Sequence, residues 1–150
     1  MISSDLVKKI RKLRPADHEI GGRILDGKIT ELIKGDSAHV QGLPFFVERY
    51  MAQLGYVSFH THPDDGFSQP SGMDYISAYI RGYELIFCKD CWLEVIPKKD
   101  LTISEIVSRE KKLWAEAQAE EQSSGNPAYW TWKGLLREEF PIEVIKHEYD

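Results

Sequence analysis

Residues 59–75 read FHTHPDDGFSQPSGMDY. His60 and His62 stand one residue apart at the end of an apolar, β-branched run. Side chains at i and i+2 of a strand share a face, so both imidazoles can reach one metal ion. Ser58 falls on their side, and Val57 and Phe59 turn towards the core. Pro63 then ends the strand. Ser71 has the character of a helix N-cap, and Asp74 follows three residues later, where its side chain reaches back over the helix start. If the loop between them folds back, Asp74 adds a carboxylate to the two imidazoles. Two His and one Asp leave a fourth tetrahedral position open, the arrangement of a catalytic rather than a structural zinc site. Each half alone has a plainer reading. Exposed histidine pairs are common, and helix capping accounts for Ser-x-x-Asp. The conjunction is what points to a metal.

The elements that must position these residues follow from periodicity and punctuation. Leu6, Val7, Ile10 and Leu13 predict a first helix over 4–14, stopped by Pro15. EIGGRILDG and KITELIKG predict two strands joined through Asp26-Gly27, a hairpin signal. Val47, Tyr50, Met51 and Leu54 predict a helix over 43–54 with those residues on its apolar stripe, ended by Gly55. YVSFHTH is a strand and PDDGFSQP a loop. A helix from Ser71 to Arg81 comes next. YELIFC and CWLEVIP pair across Lys89-Asp90. A helix over 103–121, a break at SSGNP, a short helix over 129–138 and a last strand, FPIEVIKHEY, complete the chain. Strands and helices intermix without strict alternation, which predicts a single α/β (α+β) domain over 1–150: a mixed β-sheet flanked by helices. A helical extension and the last strand begin at about residue 100.

These motifs resemble the JAMM motif of JAB/MPN-domain metalloproteases: H-x-H-P, a short loop, then P-S-x-x-D, with a glutamate far upstream. Here they read His60-Thr61-His62-Pro63 and Pro70-Ser71-Gly72-Met73-Asp74. The spacing from His62 to Asp74 is one residue longer than is usual in the family, and the extra residue falls in the 64–69 loop, where length is tolerated. EIGGRIL is similar to the family's E-x-x-G-x-L, with Glu19, Gly22 and then Ile24-Leu25, and supplies Glu19. Glu31 is the rival, but lacks the following glycine. The order of elements is similar to the family's from about residue 4 to 97. The resemblance implies a JAB/MPN (cytidine-deaminase-like) architecture. It implies Zn²⁺ held by His60, His62 and Asp74, Glu19 as general base, and Ser71 as a hydrogen-bond donor to the oxyanion. It implies an isopeptidase or peptidase acting at the C-terminal tail of a ubiquitin-like or sulfur-carrier modifier protein. The competing readings are a catalytically silent MPN-type scaffold and a zinc amidohydrolase acting on a small amide.

Other H-x-H enzymes fit less well. Metallo-β-lactamases need a histidine where Asp65 stands, and 150 residues cannot close the barrel of amidohydrolase and PHP enzymes. His18, His39 and His147 read as surface or capping residues. Cys88 and Cys91 lack the second pair of a four-cysteine zinc site and read first as free thiols on a hairpin. Trp130 and Trp132 read as packing residues of the C-terminal helix rather than as a docking surface.

The bulk composition excludes several classes. Net charge is −5, and no basic stripe interleaved with aromatics signals a nucleic-acid partner. KKIRKLR, the one basic run, reads as the solvated face of the first helix. The start of the chain lacks a secretory h-region, and no apolar run reaches the roughly 18 residues of a membrane span. The expectation is a soluble, cytoplasmic protein. Its modifier and its oligomeric state are left open.

Overall fold

A computed structural model describes residues 2–37 and 40–150. Six strands form one mixed sheet in the order β2-β1-β3-β4-β5-β6. They are β1 (Ile20–Leu25), β2 (Lys28–Lys34), β3 (Val57–Thr61), β4 (Glu84–Phe87), β5 (Cys91–Pro97) and β6 (Ile142–Glu148). The helices are α1 (Ser4–Leu13), α2 (Phe45–Gln53), α3 (Gly72–Arg81), α4 (Ile103–Ser124) and α5 (Ala128–Glu139). Only β3 and β4 pair in parallel; their crossover is α3.

The two faces of the sheet carry different loads. Phe59, Leu85 and Phe87 face α1, where Leu6, Val7 and Ile10 cover them. Phe59 and Phe87 meet edge to face with centroids 6.1 Å apart, the arrangement ring quadrupoles favour. The opposite face carries His60, Ile86 and Glu84, and there Ala78 of α3 joins Ile86, Leu93 and Val95. Above it, α3, α4 and α5 pack around Tyr79, Ile106, Leu136 and Phe140.

Local rules explain the joints. Asp26 and Gly27 both take positive φ, 51° and 76°, as a two-residue hairpin turn requires. Gly22 faces Phe59, and a Cβ there would lie 2.6 Å from its ring and 2.5 Å from the Glu31 carbonyl oxygen. Both α3 and α4 open with a full capping box, Ser71 with Asp74 and Thr102 with Glu105. Such a cap contributes about 1 kcal/mol.

One helix departs from its expected face. Tyr50 and Leu54, placed on the apolar stripe of α2 by spacing, are exposed, and the one buried residue of the helix is Glu48. The reason is electrostatic. Glu48 takes ion pairs from both Arg23 of β1 and Arg81 of α3, and this buried pairing, not an apolar seam, seats α2 over the sheet. Cys88 and Cys91 are free thiols, both buried at the β4–β5 turn. Trp132 is buried and Trp130 exposed, so only the first is the packing residue expected of it. The lysines of the basic run are exposed on α1 as expected. His39 lies outside the described residues. No described helix is long and apolar enough to cross a membrane.

Candidate metal centre

His60 and His62 leave the end of β3 on one face, and α3 returns Asp74 to them from its first turn. One ligand atom from each of the three residues lies within 4.8 Å of the other two. His60 Nε2 is 3.1 Å from Asp74 Oδ1, and His62 Nε2 is 3.3 Å from Asp74 Oδ2. Ligands about 2.0–2.1 Å from a tetrahedral ion stand about 3.3 Å apart, so the spacing suits one. All three residues are under a tenth exposed. The group is positioned to hold a metal ion. The donor set alone does not name it, because two imidazoles and a carboxylate suit zinc and also non-haem iron.

The other imidazole nitrogens are held. His60 Nδ1 donates to Glu84 Oε1 at 2.9 Å, and His62 Nδ1 donates to the Phe67 carbonyl at 2.7 Å. A carbonyl only accepts, so the His62 proton is fixed on Nδ1 and Nε2 is the nitrogen turned to the centre. Glu84 stands opposite Ser58 in the parallel β3–β4 register, on the face that carries His60. Arg81 then links Glu84 to Glu48, and Arg23 continues the chain of charges to Glu31. From the other side, Arg14 donates to the His62 carbonyl at 2.8 Å and pairs with Asp64 at 2.5 Å.

The charge states follow from this packing. Burial works against both imidazolium ions, but the Asp74 carboxylate outweighs it: His60 titrates well above its ordinary value and His62 near 9. Burial also opposes ionised Asp74, yet the two histidines hold its pKa far below the usual carboxylate range. In the metal-free chain, protons occupy the positions a cation would take, and binding a metal must release them.

Glu19 and Ser71 reach the same place. Gly21 pairs with His60 in the antiparallel β1–β3 register, and extending it two residues puts Glu19 across from His62. The Glu19 backbone is pinned to Gly35 and Asp36, and its side chain is buried. Glu19, His60, Ser71 and Asp74 line one cavity of about 590 Å³ between the sheet, α2 and α3. The rival Glu31 instead pairs with Arg23 on β2. Ser71 Oγ accepts from the Asp74 backbone N–H at 3.3 Å; that bond uses a lone pair and not the hydroxyl proton.

Helix α5 forms part of the setting. Tyr129 lines the cavity and its hydroxyl accepts from Gly72 N–H at 3.3 Å. One turn on, Lys133 is 3% exposed, with its ammonium over the Phe67 ring at 5.8 Å. Burial, and then the Arg137 charge, push its pKa below that of an ordinary lysine, while Asp74 pulls the other way. Glu84, Arg14, Lys133 and Tyr129 carried no local signal: each is placed near the centre by a contact distant in sequence. His18 pairs with Asp17, and His147 stacks on Trp92 beside Glu94; neither belongs to the clustered ligand group. No protein-family model, curated protein or solved structure gives a significant match to the chain.

Proposed function

We propose that the protein is a zinc-dependent isopeptidase or peptidase that hydrolyses an amide bond at the C-terminal tail of a ubiquitin-like or sulfur-carrier protein. The observation that carries this reading is the meeting of His60, His62 and Asp74 in one cluster, with Glu19 and Ser71 lining the cavity beside it. Zinc held there supplies Lewis acidity, making water nucleophilic near neutral pH and polarising the carbonyl. Glu19 takes a proton from the attacking water and passes it to the leaving amine. Ser71 donates its O–H to the developing oxyanion. Neither cysteine acts as nucleophile, so thiol-directed reagents leave the hydrolysis intact.

The test is Glu19→Gln. It should retain zinc and fold while losing cleavage across a panel of ubiquitin-like and sulfur-carrier proteins fused to a peptide. Undiminished cleavage by this variant contradicts the role of Glu19. The size of the cavity favours a second reading, a zinc amidohydrolase acting on a small amide, because about 590 Å³ falls within the range of small-molecule sites. Cleavage of small acyl amides but of no fusion selects that reading. Stoichiometric zinc with neither activity selects a silent scaffold.

A further inference from the structure

Lys133 is 3% exposed, and among the described residues no carboxylate oxygen comes within ion-pair distance of its ammonium; the Asp74 carboxylate acts on it only from further away. Its place is specific. The ring it crosses belongs to Phe67, whose carbonyl holds His62. Its helix is seated on the first turn of α3, where Trp132 fills the space over Gly72 and Tyr129 accepts from the Gly72 N–H. Lys133 therefore lies on the His62 side of the metal centre, and Tyr129, one turn earlier on the same helix, lines the cavity with Glu19 and His60.

Asp74 is engaged by both histidines and Glu84 by Arg81, so neither carboxylate pairs with the Lys133 ammonium. We infer that Lys133 is the anchor for a substrate carboxylate, and that the centre acts on amides carrying a carboxylate close to the scissile bond. This rests on the metal-hydrolase reading and narrows its substrate. A lysine ammonium offers three rotatable donors on a flexible stem, so it can meet a carboxylate while the neighbouring carbonyl lies at the metal. The buried stem holds the ammonium beside the Phe67 ring.

The experiment uses protein loaded with Co²⁺, whose visible bands report ligand binding without any turnover. Succinic and glutaric acid monohydroxamates are titrated against the uncharged hydroxamates of equal chain length. At least one carboxylated probe should bind about tenfold more tightly than its uncharged analogue, the increment of a charge-assisted contact. Lys133→Met keeps the stem against Phe67 and should abolish the preference while leaving the uncharged probes unaffected. Lys133→Arg should keep part of it. Cobalt bands that shift equally with charged and uncharged probes in the unaltered protein overturn the carboxylate site alone, with no variant needed. A preference that survives in Lys133→Met overturns it as well. Failure to bind Co²⁺ at all overturns the metal centre and this inference together.

Discussion

His60 stands between two carboxylates: its Nδ1 donates to Glu84 at 2.9 Å and its Nε2 lies 3.1 Å from Asp74. His62 has a neutral carbonyl in the first role, that of Phe67. The two imidazoles are therefore unequal, and His60 is made the more electron-rich donor. Glu84→Ala should weaken zinc binding about 10–100-fold, read by competition with a chromophoric chelator. Glu84→Asp should recover part of the loss, and the ¹⁵N shifts of the His60 ring should move with the affinity while those of His62 stay. Unchanged affinity in Glu84→Ala would show that the contact orients nothing.

The pH dependence of the metal-free chain has a definite sign. Burial disfavours both imidazolium ions, but attraction to Asp74 prevails and raises both, His62 to about 9. Their stabilisation is complete below the ordinary value of 6.5 and is lost as pH rises towards 9. Asp74, with its pKa lowered, contributes fully above its ordinary value of 3.8, and that contribution fades as pH falls towards its depressed value. The cluster therefore supports the metal-free fold best between about pH 4 and 6.5. Zinc competes with those protons, so the rise in Tm on adding zinc should grow from about pH 6 to about pH 9. Thermal melts with and without zinc read this directly. A zinc effect that shrinks with rising pH would contradict it.

Glu48 is the buried tie between α2, β1 and α3. Glu48→Ala leaves the guanidinium groups of Arg23 and Arg81 short of a partner in the interior. The expected loss is about 3–5 kcal/mol, the cost of breaking a buried pair from one side. Urea denaturation measures it. A loss under about 1 kcal/mol, the scale of a surface pair, would mean that α2 is seated by something else.

Gly72 lets α5 approach α3 closely. A Cβ on Gly72 would meet the Trp132 ring at 2.5 Å, so Gly72→Ala must displace that ring. Forced overpacking of this kind costs about 1–3 kcal/mol, and the shift in urea midpoint should show it. An unchanged midpoint would mean that Trp132 moves aside freely.

What could be read in advance was what spacing controls. The shared face of His60 and His62 follows from the two-residue repeat of a strand, and the reach of Asp74 over Ser71 from capping geometry. The Asp26-Gly27 turn was legible for the same reason. Glu84 was not, because its place beside His60 depends on the parallel β3–β4 register that α3 creates. The face of α2 was misread for a related cause: its apolar residues keep helical spacing, but the charge of Glu48 is answered by Arg23 and Arg81, both distant in the chain. Lys133 gave no signal of its own, because its burial depends on Trp132 docking on Gly72.

His60, His62 and Asp74 should together hold one metal ion. Equilibrium dialysis against buffered zinc, followed by elemental analysis, tests it most directly on the intact protein and on folded His62→Ala and Asp74→Ala variants. The intact protein should carry one zinc per chain and the variants should lose at least about 100-fold in affinity, since each loses a ligand. Intact protein that emerges without zinc, or variants that hold it as tightly, would show that these three residues do not form a metal site.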